Sequence, residues 1–407
     1  MTDITSLDIK LHGTPIGEIT ILPNDRSIFS FKKDYIENVN RDTLSLSFKN
    51  KYGELNTDFS TTGPNVMPFF SNLLPEGALR DYLAKRAGVK SVRELYLLWA
   101  LGDDLAGAVT VSPSDGDSWP SNNTEETRQE IQQRKQNALR FSLAGVQLKF
   151  SAFNSNNKLT IPTTGIGGSW IVKLPADRYE GVPENEFSCM ELARQIGINV
   201  PKTELLDIQG IEGIPENFRF HGDKAFAIER FDRSNEGSIH IEDFAQVFNL
   251  FPDDKYGKAN YKNIANVLGA ETSDGDVKEF IRRLVFSTLI GNDDMHLKNW
   301  SLIYYDKKRP NLSPAYDLLS TIVYMPSDTA ALNYVSTNKM SEFNLRELSR
   351  MADKAKLPEK MVLDTAEETV SSFLEVWQKE KANLVFTQET IDVIDNHLLK
   401  LQIVKEA

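Results

Sequence analysis

The chain has 407 residues and a formal net charge of −12, from 58 acidic and 46 basic side chains. That length exceeds one ordinary single-core domain and fits two or three lobes. A hydrophobic content of 40% with 10% aromatics excludes disorder over most of it, and the acidity argues against nucleic-acid binding through the overall field, leaving only a local basic patch. The single cysteine, Cys189, excludes an intramolecular disulfide and a multi-cysteine zinc site, and the five histidines show no pair at metal-ligand spacing. No stretch approaches the roughly 18 uninterrupted apolar residues of a membrane span. The opening MTDITSLDIK lacks a basic segment followed by an apolar core, so a soluble cytoplasmic chain with no membrane partner is expected.

In chain order, Leu7 to Leu11 and Ile16 to Leu22 alternate as two strands around a turn at His12, Gly13 and Thr14. Arg41 to Asn50 holds another alternating run, TLSLSF. Pro75 to Gly88 reads as a helix with a glycine stop. Ser91 to Gly102 reads as a second, with Ser91 as N-cap and Glu94 at the capping-box position. A short strand follows at Ala108 to Val111. Ser112 to Asn123 has linker composition, and the polar stretch Thr124 to Asn137 reads as a solvated helix or connector. Strands are expected at Leu148 to Phe153, Lys158 to Pro162, Ser169 to Leu174, Thr203 to Ile208 and Lys224 to Phe231. One helix interrupts them, from about Pro183 to Ile196. From Ile239 the pattern is mostly helical, at Val277 to Gly291, Asn344 to Ala355, Pro358 to Lys379 and Gln388 to Ile403. The division is residues 1–115, a linker over 116–138, a β-rich lobe over 139–233 and an α-rich lobe over 234–407. Clefts between two such lobes hold ligands.

Five local signals carry chemistry. Asp294 and Asn299, within IGNDDMHLKNW, have the D-x-x-x-x-N spacing of a phosphoryl-transfer loop: the carboxylate takes a hydroxyl proton and the amide oxygen holds a magnesium ion. Lys298 between them can offset charge on the transferred group. Asp317, in PAYDLLS, lies beyond two short strands whose hairpin would return it to that loop to bridge Mg²⁺ and ATP phosphates; the plainer reading is a helix N-cap. Lys173, on the apolar strand SWIVKLP, needs a partner, for which Glu186 on the next helix is the first choice and Glu191 the substitute; the plainer reading is a lysine that snorkels to solvent. Gly145, in FSLAGVQLK, allows backbone amides to approach a phosphate that Lys149 could reach. The strand KAFAIERFDR ends in Glu229, Arg230 and Phe231 where an adenine would pair with exposed backbone. Each signal is modest alone. Their order is the order that an α+β, bilobal, protein kinase-like fold requires.

Taken together, these residues resemble the HipA family, the Ser/Thr kinase toxins of bacterial toxin–antitoxin pairs. The matching pieces are SLAGVQLK (Ser142 to Lys149), WIVKLP (Trp170 to Pro175), ENEF (Glu184 to Phe187), AIERFDR (Ala227 to Arg233), HIEDFAQ (His240 to Gln246), IGNDDMHLKN (Ile290 to Asn299) and SPAYDLLS (Ser313 to Ser320). LHGTPIGEITI and FFSNLLPEGALRDYL resemble the family's N-terminal coupling segment. The resemblance implies that Asp294 is the catalytic aspartate, with His296 and Asn299 completing its loop, and that Asn299 and Asp317 hold the metal. It implies ATP-binding roles for Lys173, for Lys149 in the phosphate loop and for Glu229 and Phe231 at the adenine hinge. Gly145, Gln147, Glu186 and Gln246 are supporting residues. Ser142 falls on the family's autophosphorylation serine, where a phosphate would repel those of ATP and silence the enzyme. The implied cofactors are ATP and Mg²⁺. The implied partners are a HipB-like DNA-binding antitoxin, through which alone DNA is reached, and a protein substrate such as an aminoacyl-tRNA synthetase. Val146, Leu148 and Met295 depart from residues common in the family, which bears on substrate choice more than on catalysis. Two other readings compete: a small-molecule or lipid kinase, because D-x-H-x-x-N also resembles phosphoinositide-type catalytic loops, and a non-catalytic antitoxin-binding co-repressor, which would need a broken site.

Overall fold

The computed structural model describes residues 6–77, 80–81, 84, 90–114, 149–155, 158–160, 168–176, 178–212, 214 and 222–406. The linker, Ser142, Gly145 and Gln147 lie outside the described residues, as do most of the Pro75 to Gly88 segment and the side chain of Lys149.

Alternation at the start of the chain builds a sheet. Strand β1 (Ser6–Leu11) turns through His12 and Gly13, both at positive φ, into β2 (Thr14–Leu22), followed by β3 (Arg26–Phe31). With β4 (Val109–Pro113) they form an antiparallel sheet in the order β3-β2-β1-β4. Leu7, Ile9 and Leu11 point to one face, against Phe69, Phe70, Leu97 and Leu98. The helix Glu94–Leu101 buries seven of its eight residues, as a helix wedged between layers must.

Two expectations fail here for the same reason. Arg41 to Asn50 forms no strand; it passes through a 3₁₀ turn at Leu46–Phe48, capped by Ser45. Leu44 and Phe48 are buried, so the alternation reports burial without a neighbouring strand. Ser91 does not cap the next helix either: the N-cap is Arg93, with no side-chain bond. Glu94 turns into the core, accepting from Val66 N (3.0 Å), Ser71 Oγ (2.9 Å) and Arg80 Nη1 (3.0 Å). In both places tertiary partners outbid a local rule.

A second antiparallel sheet contains β5 (Lys149–Ser155), β6 (Lys158–Thr160), β7 (Trp170–Lys173), β8 (Thr203–Asp207) and β9 (Lys224–Glu229), in the order β6-β5-β7-β9-β8. The helix Val182–Gln195, with Pro183 in its first turn, packs against β8 and β9. On the other face Ala152, Trp170, Val172, Ala225 and Ala227 join the same core as β1 to β4. The N-terminal sheet and this five-stranded sheet thus share one interior.

Short strands precede and open the region after Ile239, read as mostly helical. β10 (Arg233–Ser234) pairs with β11 (Gly237–Ser238), and β12 (His240–Asp243) pairs with β13 (Ser301–Tyr304), which pairs with β14 (Asn311–Leu312). The HIED segment buries His240 and Glu242 on alternate positions, the pattern of a half-buried strand. Helices then dominate. Asp274–Leu289, started by a Ser273–Asp276 capping box, packs against Glu359–Glu380, while Leu345–Ala355 packs on Tyr261–Glu271 and Glu359–Glu380. A second core follows, including Phe280, Phe286, Phe373 and Trp377. Among the described residues no helix is long and apolar enough to cross a membrane.

Candidate active site

The apolar helix Asp274–Leu289 ends at Ile290, and Gly291 follows at φ +68°. A Cβ there would lie 2.3 Å from Ile322, so glycine lets the chain turn sharply into the acidic loop. Asn292 holds that loop to its neighbour: its Nδ2 donates to Asp317 O (3.2 Å) and its Oδ1 accepts from Asp294 N (3.1 Å). Asn299 Nδ2 donates to Asp294 O (2.8 Å), leaving Oδ1 as a potential cation ligand. The β13–β14 hairpin returns the chain as expected, with Leu302 opposite Leu312. Asp317 then sits in a loop at φ +54°, and the short 3₁₀ turn that follows, Thr321–Val323, has Ser320 as its N-cap, so the N-cap reading falls.

Lys173 does not snorkel. It is 5% exposed and its Nζ bonds both Glu186 and Asp317. Burial opposes its charge, but the Asp317 and Glu186 carboxylates outweigh it and hold the ammonium above its ordinary pKa. Glu191, the substitute partner, faces Arg194 and Thr203 instead. The backbone of Lys149 lies opposite Lys173 in the β5–β7 register.

These groups line one cavity of about 380 Å³ between the lobes, inside the range of small-ligand sites. Lys173, Glu186, Glu229, Phe231, Gln246, Asp294, His296, Lys298, Asn299 and Asp317 all contribute to its wall. At the hinge end Phe231 meets Tyr316 at 5.6 Å between ring centroids. Gln246 closes a capping box with Asp243 and donates to Phe69 O (2.9 Å), so it braces the wall from behind. Burial pushes the Asp294 carboxyl up. Burial and the nearby Lys255 push His296 down to about 3, so its imidazole is neutral, and its buried Nδ1 has no hydrogen-bond partner. No group of three or more His, Cys, Asp or Glu among the described residues could hold a metal unaided. Asp317 and Asn299 fit a divalent cation only if other oxygens, such as phosphates, complete its shell.

The family models agree over most of the chain. Residues 7–112 match the HipA N-terminal domain and residues 141–377 match the HipA-like C-terminal domain. The chain belongs to the HipA family.

Among its relatives, the protein of Sinorhizobium fredii named "Putative kinase Y4dM" is 56% identical across 100% of this chain and 99% of its own length. The serine/threonine-protein kinase toxin HipA of Shewanella oneidensis is 26% identical, over 78% of this chain and 76% of its own. The fold is that of HipA in the solved HipA, HipB and operator DNA complex from Shewanella oneidensis MR-1, with a TM-score of 0.70, 21% identity and 98% of each chain covered. The architecture is therefore α+β and kinase-like.

This HipA-family chain also builds its site from a region that carried no motif for it. Lys298 is not free to meet a phosphoryl group: Nζ donates to Asn72 O (2.8 Å) and Oδ1 (3.1 Å), and lies 3.2 Å from Asp243 and 3.5 Å from Glu76. Glu76 also pairs with Lys255 (2.7 Å). Burial works against the Glu76 charge, but Lys298 and Lys255 hold its carboxyl below the ordinary range. Behind the hinge, Arg230 bonds Asp232 (2.9 Å), Asp104 (3.2 Å) and Ser151 Oγ (3.1 Å), and Arg233 bonds Asp104 (2.9 Å) and Asp232 (2.8 Å). Burial opposes the Asp232 charge, but Arg230 dominates and holds the carboxyl down at about 2. The signal for Arg230 was the charge cluster Glu229, Arg230, Asp232 and Arg233 at the exit of an apolar strand; Asn72 and Glu76 had none.

Proposed function

We propose that this chain is a Mg-ATP-dependent serine/threonine protein kinase, the toxin of a toxin–antitoxin pair. The observation that carries the reading is the convergence of Asp294, Asn299, Asp317 and the Lys173–Glu186 pair on one cavity, from segments distant in sequence. Bound Mg-ATP supplies the transferable γ-phosphoryl group. Lys173, fixed by Glu186, would hold phosphate oxygens, and Asp317 with Asn299 Oδ1 would hold the cation. Glu229 and Phe231 would hold the adenine. Asp294 accepts the proton of the acceptor hydroxyl, and neutral His296 completes the same loop. Ser142 is the proposed self-phosphorylation site. The proposed partner is a HipB-like antitoxin, which alone reaches DNA, and the proposed target is a translation component such as an aminoacyl-tRNA synthetase. Family membership and motif position support these assignments.

The test is incubation with Mg-ATP followed by intact-mass and peptide-mapping mass spectrometry, with Asp294→Asn alongside. The expected result is one added phosphate on Ser142, absent from the variant, whose transfer rate falls by about 10²–10⁴-fold. Equal phosphate in the variant removes Asp294 from catalysis. Phosphate on another residue removes Ser142.

A further inference from the structure

One side chain of the cavity has no role in the scheme above. Tyr256 lies in the segment between the helices Phe244–Val247 and Tyr261–Glu271. Its phenol donates to Asp294 Oδ1 at 2.7 Å. Its ring stands edge-on to His296, with centroids 5.1 Å apart and planes at 77°, and Lys255 Nζ lies 5.4 Å from its centre. The segment is tied to the catalytic loop by a bond from Leu297 N to Lys255 O (3.3 Å). Even so, Tyr256 is 47% exposed, so the ring reaches from solvent to the carboxylate. Burial and Asp294 together push the phenol's pKa up, which keeps it a donor. An acceptor hydroxyl has to sit within hydrogen-bond reach of the base that takes its proton. Tyr256 Oη already occupies such a position.

We propose that Tyr256 fills the phosphoacceptor's hydroxyl position until an acceptor binds and so discriminates a protein hydroxyl from water. The proposal rests on the kinase reading. Water replacing the phenol exchanges one hydrogen bond to Asp294 for another and gains little. A protein segment gains contacts along its length and uses that binding energy to displace the ring. Room for the displacement exists on the solvent side, to which the ring is already 47% exposed. In the productive step the acceptor oxygen bonds to the γ-phosphorus. The bond from that phosphorus to the β–γ bridging oxygen breaks, ADP leaves, and the acceptor's proton passes to Asp294. With water as acceptor the same step releases inorganic phosphate.

The test compares wild type with Tyr256→Phe, which keeps the ring and deletes the hydroxyl. Two quantities are measured on the full chain: phosphate release from Mg-ATP without protein substrate, and affinity for the Mg complex of the β,γ-imido analogue of ATP by calorimetry. The expected result is a rise of about tenfold in hydrolysis, the scale of one hydrogen bond to a charged group, with analogue affinity unchanged. Hydrolysis at or below the wild-type rate, with the analogue still bound, overturns the proposal and leaves Tyr256 as a support for Asp294. Failure of both proteins to bind the analogue overturns the kinase reading itself, and this proposal with it.

Discussion

Two buried ion clusters lie within one side chain's reach of the same cavity, and they are built on opposite rules. Behind the hinge, Arg230 and Arg233 face Asp104 and Asp232: equal charge, bonds of 2.8–3.2 Å, and an Arg230 side chain 1% exposed. Among the described residues on the other side of the cavity, Glu76, Glu186, Asp243, Asp294 and Asp317 outnumber Lys173, Lys255 and Lys298. There burial raises the pKa of Asp294, and His296 Nδ1 has no partner. The balanced cluster satisfies itself and fixes the hinge against the N-terminal region. The unbalanced one carries excess negative charge that a cation with its phosphates can use. Completeness marks the structural cluster and incompleteness the functional one.

The sharpest way to break that contrast is Arg230→Met. It leaves Asp104 and Asp232 short of a buried partner and should cost about 3–5 kcal/mol in urea unfolding; a loss under 1 kcal/mol would make the hinge cluster ornamental. Asp317→Asn should do the reverse. Lys173 keeps Glu186, so the melting temperature should not fall, while Mg-ATP affinity drops roughly 100-fold by calorimetry. Unchanged affinity would remove Asp317 from the cation site. Glu76→Gln is expected to be milder: Lys298 keeps Asn72 and Asp243, and turnover should fall by about tenfold or less with nucleotide affinity intact. A collapse of nucleotide affinity would make Glu76 a ligand contact.

The smallest effect concerns a third arrangement, a buried carboxyl with no cation. Glu242 accepts from Ser45 Oγ, Tyr304 Oη and Leu46 N (3.0 Å), yet burial still pushes it up to about 7. In the unfolded chain this group ionises near 4.5, so folding favours the protonated form. Its stabilising contribution is full below about 4.5 and is lost as pH rises through 7. Glu242→Gln should flatten the fall in melting temperature between pH 5 and pH 7.5. A variant that parallels wild type across that window would show that Glu242 is ionised in the fold.

What the sequence showed and what it hid follow from distance. Lys173 with Glu186, Asp294 with Asn299, and the hairpin back to Asp317 were readable because each is a local pattern placed in a fixed order. The phosphate-loop residues Ser142, Gly145 and Gln147 fall outside the described residues. The run TLSLSF and the apparent Ser91–Glu94 capping box misled because their partners, Glu242 in one case and Val66, Ser71 and Arg80 in the other, are set by the tertiary fold. Asn72 and Glu76 meet Lys298 from more than 200 positions away, and Tyr256 meets Asp294 from an unremarkable turn. No spacing rule spans such separations.

The left-handed backbone at Asp317 has an evolutionary corollary. At φ +54° a side chain with a Cβ costs about 1–2 kcal/mol that glycine would avoid. Glycine would relieve that strain but strip the buried Lys173 of one of its two carboxylates, a larger loss, so selection for heat resistance alone should keep a polar side chain here. Replacement by asparagine, which also adopts the left-handed region, would report that turnover had gone unselected.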